Sequence, residues 1–390
     1  MKRAPVYLDH AATTPVAPEV VAAMQPFLSE VFGNASSLHA HGREAAAALD
    51  EARTTLACVL GARPGEIIFC SCGTESDNLA LRGIALAMRK QGRGHHIITT
   101  PIEHQAVEAT VQQLRDVFGF DVTILPVDVH GRVDPDAVRR ALRPDTVLVS
   151  VMLANNEVGT LQAVQEIGSI CRHAGVPFHT DAVQAPAWLA LDVRELHVDA
   201  LSLSAHKFYG PKGVGVLYLR EGTPYISPLT GGGHERGRRP GTVNVAGAVG
   251  AAAALKLVAR ERQQQARRLQ PLRDRLIDGV LASVPGARLS GHPIERLPNH
   301  ASFVFEHVDG ESLIMALDVE GFSVSTGSAC SSGNPEPSPV LLAMGIPREW
   351  ALGSLRITLG YATTESDVEA FLHVLPRCVA QVRAAEQFVF

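Results

Sequence analysis

The chain has 390 residues, with 35 Lys or Arg against 40 Asp or Glu, so its formal net charge is −5. This length exceeds what one hydrophobic core usually holds, which predicts two domains. A slightly acidic chain argues against nucleic acid as the main partner, because nucleic acid favours a basic surface. With 46% hydrophobic and 19% charged residues, the composition is typical of globular proteins and excludes a disordered chain.

The N-terminus, hydropathy and cysteine content predict a cytoplasmic protein without a membrane partner. The two basic residues near the start are followed by no apolar run, unlike in a secretory signal peptide. No apolar stretch approaches the roughly 18 residues of a membrane span. Six cysteines are too few for a disulfide scaffold, so free thiols are expected.

Helical segments alternate with short apolar runs over about residues 50–220. The predicted strands are 66–70, 96–99, 121–126, 146–152, 177–180, 200–204 and 215–219. The predicted helices between them are 50–60, 75–90, 105–118, 134–142 and 167–174. Apolar strands separated by helices predict an α/β fold with a mostly parallel, seven-stranded sheet covered on both faces. Catalytic groups in such sheets lie at the carboxyl ends of the strands.

The character of the chain changes after a Gly- and Arg-rich loop at 231–241 and a long predicted helix at 245–283. Three later strands, at 301–305, 322–325 and 355–359, indicate a smaller α+β domain. We therefore expect a large domain, 16–259, and a small domain formed by 1–15 and 260–390.

Lys207 is the strongest candidate for covalent chemistry. It follows the predicted strand 200–204, next to His206 and before a Gly-Pro turn. Pyridoxal 5′-phosphate (PLP) chemistry needs a lysine amine that can lose its proton, with hydroxyl and imidazole donors nearby to hold the phosphate. Ser204 and His206 are such donors, although a solvated lysine in a hairpin loop would give the same pattern.

Asp181 ends an apolar strand that its periodicity predicts to be buried. Burying a carboxylate costs several kcal/mol unless a cation meets it. A protonated pyridine nitrogen would be that cation, and the pair would keep the ring an electron sink. The common alternative for such an aspartate is capping of the next turn.

The segment at 69–78 runs from a predicted strand into a predicted helix. Thr74 and Asp77 are spaced as a capping box. Free backbone N–H groups at a helix start make a seat for a phosphate. N-capping alone would explain the same pattern.

Cys330 lies among small polar residues and glycines in a segment too polar for a core. A thiol in such a loop is reactive, although an incidental exposed cysteine would look the same. The remaining cysteines are interpreted as packing residues: Cys58, Cys70, Cys72, Cys171 and Cys378. The spacing of Cys70 and Cys72 resembles half a metal site, but no second pair is near in sequence, so no metal is expected.

Three further polar residues follow or interrupt predicted strands. His104 follows strand 96–99, where it would either lie over a cofactor ring or cap the next helix. Asn156 follows strand 146–152, where it would either donate amide hydrogen bonds or form an ordinary turn. Arg356 interrupts an apolar alternation, which suits bidentate capture of a substrate carboxylate or an edge-strand arginine facing water.

Together these segments resemble the fold-type I PLP enzymes, and specifically the NifS/IscS-type cysteine desulfurases. The resemblance extends from residue 7 to about residue 360. Its motifs are Thr-Glu-Ser-Asp-Asn (74–78), Glu-His (103–104), Asn-Asn-Glu-Val-Gly (155–159), Asp-Ala-Val-Gln (181–184), Ser-Ala-His-Lys-Phe-Tyr-Gly-Pro-Lys-Gly (204–213), Gly-Gly-Gly-His-Glu-Arg-Gly (231–237) and Gly-Ser-Ala-Cys (327–330). One departure is Cys72-Gly73 where the family usually has Gly-Ala, which puts a second thiol near the cofactor.

The resemblance implies a role for each residue. Lys207 would hold PLP covalently, Asp181 would pair with the pyridine nitrogen and Gln184 would contact the ring hydroxyl. His104 would stack on the ring and move protons. The implied phosphate ligands are Gly73, Thr74, Ser204 and His206, with Thr242 from the partner subunit of a homodimer. Asn156 and Arg356 would hold the substrate carboxylate, and Cys330 would be the acceptor thiol.

The implied activity is removal of sulfur from L-cysteine, giving L-alanine and a persulfide on Cys330. The sulfur would pass to an acceptor or scaffold protein in iron–sulfur cluster or thio-cofactor biosynthesis. A small aminotransferase is disfavoured by Cys330, whereas a selenocysteine lyase stays open. A catalytically inactive sulfur carrier is disfavoured because Lys207, His104 and Asp181 are all present.

Overall fold

A computed structural model describes residues 5–327 and 336–386. Its strands are β1 (Val6–Tyr7), β2 (Ile67–Cys70), β3 (His96–Thr99), β4 (Asp121–Ile124), β5 (Thr146–Ser150), β6 (Phe178–Asp181), β7 (Ala200–Ser204), β8 (Gly215–Leu219), β9 (Ala287–Leu289), β10 (His300–Phe305), β11 (Phe322–Ser323) and β12 (Ser354–Thr358). Its helices are α1 (Pro18–Met24), α2 (Pro26–Ser29), α3 (Ala40–Leu60), α4 (Gly73–Lys90), α5 (Gln105–Asp116), α6 (Pro135–Ala141), α7 (Val164–Ala174), α8 (Val245–Ser283), α9 (Gly310–Val319), α10 (Pro339–Ala343), α11 (Arg348–Leu352) and α12 (Glu365–Glu386). Among the helices of these residues, none is both long and apolar enough to cross a membrane.

The large sheet has seven strands in the order β2-β8-β7-β6-β5-β3-β4. Strand β8 is antiparallel to both of its neighbours, and every other neighbouring pair is parallel. The predicted α/β fold with a mostly parallel, seven-stranded sheet is therefore confirmed. The strand order was not predicted.

Both faces of this sheet are covered by helices. Successive side chains of each strand point to opposite faces, and both sets are apolar, so each face needs a covering layer. On one face Ile68 and Leu217 belong to a core that includes residues of α4 and α5. On the other face Phe69 and Leu201 belong to a core that includes residues of α3, α7 and α8. The helices between the strands thus bury both apolar faces, as predicted.

Three helices begin earlier than predicted: α3, α4 and α7. Helix α7 begins at Val164 rather than residue 167 without a side-chain cap, whereas side chains cap the other two. Helix α3 begins at Ala40 rather than residue 50, and Nδ1 of His39 accepts the N–H of Gly42 at 3.3 Å. Helix α4 begins at Gly73, and Sγ of Cys72 accepts the N–H of Glu75 at 3.4 Å. The predicted capping box is therefore wrong: Cys72, rather than a threonine, caps α4.

The segments before residue 15 and after α8 pack together. Strand β1 pairs in parallel with β11, and Asp9 bridges to Thr358 of β12. Strands β12, β10 and β9 form an antiparallel sheet. These pairings join the start of the chain to the strands that follow α8. The division into 16–259 and 1–15 with 260–390 stays a prediction, and α8 runs across its boundary at residue 260.

Candidate active site

A cavity of about 380 Å³ lies at the carboxyl ends of the parallel strands, a size typical of small-molecule sites. The cavity is lined by residues that follow five strands of the sheet: β2, β3, β5, β6 and β7. Ten of the predicted site residues are among the lining residues: Gly73, Thr74, His104, Asn156, Asp181, Gln184, Ser204, His206, Lys207 and Arg356. The expectation that catalytic groups gather at one edge of the sheet is met by the positions of these side chains.

Of the predicted site residues that the structure describes, one, Thr242, is not among those that line the cavity. Thr242 is exposed, one residue beyond the Gly- and Arg-rich loop. Cys330 lies outside the residues that the structure describes. Gly327, three residues before Cys330 in the sequence, does line the cavity.

Lys207 is held at the cavity by the N-terminal segment. It ends a short 3₁₀ helix, Ala205–Lys207, that directly follows β7. Its Nζ donates to the carbonyl oxygens of Ala11 at 2.6 Å and Ala12 at 2.8 Å. These hydrogen bonds keep the amine at the cavity, so the alternative of a solvated hairpin lysine is wrong.

Asp181, the last residue of β6, combines the two functions considered for it. Its Oδ1 accepts the N–H of Val183 at 2.8 Å, which caps the turn. The carboxyl is also 6% exposed and lines the cavity. Burial raises the pKa of Asp181, while His104 and Lys207 nearby lower it. A cation bound beside this carboxyl would favour its ionised form.

A second buried carboxyl, Asp77, lies at the cavity and was not predicted as a site residue. It is 1% exposed, lines the cavity, and its Oδ1 has no hydrogen-bond partner among the described residues. Burial raises the pKa of Asp77, and the nearby Asp181 raises it further. Nε2 of His179 lies 3.6 Å away, but burial lowers the pKa of His179 to about 3. Burial therefore disfavours the charged forms of both Asp77 and His179. The sequence signal for Asp77 was its spacing from Thr74 in the predicted capping box.

His104 also combines the two functions considered for it. It lines the cavity, and its Nδ1 accepts the N–H of Ala106 at 3.1 Å, which caps α5. Because the accepting nitrogen carries no proton, the proton of the neutral ring is on Nε2. The capping bond therefore sets both the orientation and the tautomer of this imidazole.

Glu103, which precedes His104, ties the ends of two strands together. Its Oε1 accepts from the Thr100 hydroxyl at 2.7 Å, after β3, and from the Met152 N–H at 3.0 Å, after β5. Burial raises the pKa of Glu103 to about 8. Nothing in the sequence around Glu103 distinguishes this buried, hydrogen-bonded acid from an exposed one.

The start of α4 forms a seat that fits the phosphate of PLP. A Cβ at Gly73 would lie 3.0 Å from Cγ2 of Val183 and 3.3 Å from Cβ of Ser204, so only glycine fits between them without a shift. The backbone N–H groups of this first turn and the helix dipole favour an anion. Nδ1 of His206 lies 3.1 Å from Oγ1 of Thr13, and burial, with Lys207 and Lys212, lowers the pKa of His206 to about 4. This seat, the buried Asp181 and the Lys207 amine together match the phosphate, pyridine and aldehyde groups of PLP.

Arg356 of β12 is 4% exposed, so the alternative of a water-facing arginine is wrong. Its Nη2 pairs with Oδ1 of Asp9 at 2.9 Å, and its Nη1 donates to the backbone oxygen of Asn156 at 3.1 Å. Its Nε has no hydrogen-bond partner among the described residues. Arg356 lines the cavity, and a guanidinium has five N–H donors, of which these two contacts use two, so it suits the capture of a carboxylate.

The Gly- and Arg-rich loop is anchored by charged contacts that were not predicted from the sequence. Glu235 accepts from both Nη atoms of Arg53, at 2.8 and 2.7 Å, and from the Phe69 N–H at 2.9 Å. Arg239 pairs with Glu75 of α4 at 2.8 Å. These buried and half-buried pairs hold the loop on α3, β2 and α4, which places Thr242 at the exposed end of an anchored segment.

The cysteines differ in their exposure. Cys70, Cys171 and Cys378 are buried, which confirms their interpretation as packing residues. Cys58 is exposed, so its interpretation as a packing residue is wrong. Cys72 is half-buried, caps α4 and lines the cavity, so its interpretation as a packing residue is also wrong, whereas a second thiol near the cofactor site was expected from the resemblance.

Comparison with known proteins agrees with this geometry. The chain matches the family described as Aminotransferase class-V over residues 6–371. It is 49% identical to the cysteine desulfurase IscS of Dictyoglomus turgidum, over 100% of this chain and 98% of that protein. A solved structure named NIFS-like protein is 40% identical, with a TM-score of 0.90 over 97% of this chain and 100% of that chain. A structure described as SspA in complex with cysteine is 33% identical, with a TM-score of 0.78 over 90% of this chain and 98% of that chain. The chain therefore belongs to the class-V aminotransferase family and, within it, to the cysteine desulfurases of the NifS/IscS type.

Proposed function

We propose that the protein is a PLP-dependent cysteine desulfurase, which converts L-cysteine to L-alanine and forms a persulfide on Cys330. The observation that carries this proposal is the cavity at the strand ends. A lysine amine, a buried carboxyl, an imidazole and a helix N-terminus all line it. These are the groups that PLP chemistry on an amino acid requires.

Different residues around the cavity would bind different parts of the cofactor. Lys207 would carry PLP through its amine, and Asp181 would pair with the pyridine nitrogen. Gln184 would contact the ring hydroxyl through its side-chain amide. Nε2 of this amide donates to the Ala11 carbonyl at 3.0 Å. The proposed phosphate ligands are Gly73, Thr74, Ser204 and His206. When bound, PLP supplies an electron sink for the pair left at Cα of the substrate.

The chain's own residues would bind the substrate and move its protons. Arg356 and Asn156 would hold the carboxylate of L-cysteine. The Lys207 amine would remove the Cα proton, and the proton on Nε2 of His104 would be available for transfer to the substrate.

Sulfur transfer would then use the Cys330 thiolate as the nucleophile. It attacks Sγ of the substrate, an S–S bond forms and the Cβ–Sγ bond breaks. The electron pair of the broken bond stays with the carbon skeleton, which takes up a proton and leaves as alanine. The product on the protein is a Cys330 persulfide, from which an acceptor protein takes the sulfur.

We further propose that the protein works as a cytoplasmic homodimer and delivers sulfur to a scaffold or other acceptor in iron–sulfur cluster or thio-cofactor biosynthesis. Three large apolar side chains near the N-terminus support self-association. Leu28, Phe32 and Leu38 are 70%, 68% and 91% exposed. Exposed apolar groups clustered in one segment are typical of an interaction surface.

The holoenzyme is expected to release one L-alanine for each sulfur atom taken from L-cysteine, with a shift of the PLP absorption band on substrate addition. Amino-acid analysis and the spectrum check this result. D-Cysteine is the control, because its carboxylate and thiol cannot both occupy the positions of those of the L-isomer. Formation of pyruvate instead of alanine would contradict a desulfurase and indicate a β-elimination enzyme.

Thr242 is expected to act on the phosphate site of the partner subunit. Lys207→Ala removes the amine and Thr242→Glu puts a negative charge near the phosphate, so each homodimer should be nearly inactive. When the two variants exchange subunits, one site of each mixed dimer carries both changes and the other carries neither. Random exchange makes about half of the dimers mixed, so activity should recover to about a quarter of wild type.

The same mixing experiment can contradict the proposed role of Thr242 in the partner subunit. If Thr242 served its own subunit, every site would keep one changed residue and mixing would restore nothing. Exchange is verified by the mass of the mixed dimers before activity is measured.

A further inference from the structure

Glu157 contacts residues on both sides of the segment that carries Cys330. It belongs to the Asn-Asn-Glu turn that follows β5, next to Asn156 on the cavity wall. On the C-terminal side of the segment, the hydroxyl of Ser338 donates to Oε2 of Glu157 at 2.5 Å. These two residues are 181 positions apart in the sequence.

On the N-terminal side, the backbone of Gly327 lies directly against the same side chain. A Cβ at Gly327 would lie 2.8 Å from Oε2 and 2.9 Å from Cβ of Glu157. Any larger residue at this position would have to displace the carboxylate. One side chain therefore meets the chain shortly before Cys330 and again shortly after it.

Each partner in this arrangement is itself held in place. The N–H of Glu157 donates to Oδ1 of Asn155 at 2.8 Å, and Nδ2 of Asn155 donates to the Ile102 carbonyl at 2.9 Å. The Ser338 hydroxyl also accepts the N–H of Leu341 at 3.3 Å, which caps α10. Because this hydroxyl accepts from the helix, its own proton is free to go to Glu157. Burial raises the pKa of Glu157, while Ser338 and Arg356 lower it.

We propose that Glu157 is a positioning residue for sulfur transfer, which holds together the two ends of the segment that carries Cys330. The inference rests on the proposed role of Cys330 as the acceptor thiol. Holding both ends of a segment lowers the number of conformations that it can adopt. A nucleophile must also reach the substrate in a narrow range of geometries, where a shift of about 1 Å costs on the order of 100-fold in rate.

Two substitutions separate this role from general stability. Ser338→Asp keeps an oxygen that caps α10, since aspartate caps as well as serine, but it puts a second carboxylate against Glu157. Adding Glu157→Gln restores a hydrogen bond between the two positions. In the double variant the amide at 157 donates and the carboxylate at 338 accepts, the reverse of wild type. Glu336→Gln is the matched control, because Glu336 lies two residues from Ser338 in an exposed pair with Arg348.

The measurement is a single turnover of the holoenzyme with L-cysteine. Persulfide formation on Cys330 is measured by mass spectrometry. Ser338→Asp is expected to slow it at least about tenfold. The change of the PLP spectrum with cysteine should stay within about twofold of wild type. The double variant should recover most of the rate, and Glu336→Gln should match wild type.

A second readout needs neither cofactor nor turnover. In the PLP-free protein, hydrogen exchange in peptides that cover 325–341 should increase in Ser338→Asp and decrease again in the double variant. If Ser338→Asp forms persulfide as fast as wild type, or the double variant recovers neither rate nor protection, the role of Glu157 is overturned. An equal slowing of the spectral change would likewise overturn it, because the effect would then precede sulfur transfer. A wild-type protein that forms no persulfide on Cys330 would instead overturn the proposed function.

Discussion

Lys207→Ala is expected to lower alanine production from L-cysteine at least about 1000-fold, because it removes both the covalent link to PLP and the base at Cα. The variant should still bind PLP weakly, since the phosphate seat at α4 and the Asp181 carboxyl remain. Its absorption band should no longer be that of a lysine-bound cofactor. The loss of activity and the change of the absorption band have one cause, the loss of the Lys207 amine, which the carbonyls of residues 11 and 12 hold at the cavity.

Lys212→Ala is the matched control for this prediction. Lys212 is five residues further along and exposed, and it belongs to none of the proposed ligands, so activity should stay near that of wild type. Borohydride reduction of the holoenzyme followed by peptide mapping should place the pyridoxyl group on Lys207. A label on Lys212 would contradict the assignment of the whole site.

Cys330→Ala is expected to separate cofactor chemistry from sulfur transfer. The variant should bind PLP and change its spectrum with L-cysteine as wild type does, because Lys207, Asp181 and His104 are intact. Sulfide release under reductant should fall at least about 100-fold, since the thiol proposed to accept the substrate sulfur is gone. The measurement combines the absorption spectrum with sulfide determination on one sample.

Cys58→Ala is the control, because Cys58 is an exposed thiol of α3 that does not line the cavity. It should release sulfide at the wild-type rate. Wild-type turnover by Cys330→Ala would show that another thiol accepts the sulfur. Cys72, on the wall of the cavity, would then be the residue to substitute next.

The elements that depend on neighbouring residues alone were predicted with the same bounds as in the structure. Strands β3, β7 and β8 and the long helix α8 are examples, because alternation and helical periodicity are properties of a short stretch of chain. The starts of α3 and α4 were not predicted. Their caps, His39 and Cys72, are not among the residues that commonly cap helices.

The sequence also determined where the chemistry would gather. Residues that follow parallel strands meet at one edge of a sheet, so the order of strands and polar residues along the chain was enough to predict that Lys207, Asp181, His104 and Asn156 lie together. Their roles toward PLP, and the role of Gln184, came from the resemblance to a family. Polar side chains with two possible uses, such as His104 and Asp181, were found to serve both, as cap and as cavity wall.

Only the tertiary structure decided which acids are buried and what they contact. Glu235 meets Arg53 across 182 residues of chain, and Glu157 meets Ser338 across 181. The pKa of Asp77 is raised by burial and by the nearby Asp181 because α4 packs against the sheet. A carboxylate in the sequence carries no sign of its burial, since desolvation and pairing depend on elements brought together by packing. Residue types and periodicity therefore determined the fold and the reactive groups, whereas packing decided their charge, their partners and their positions.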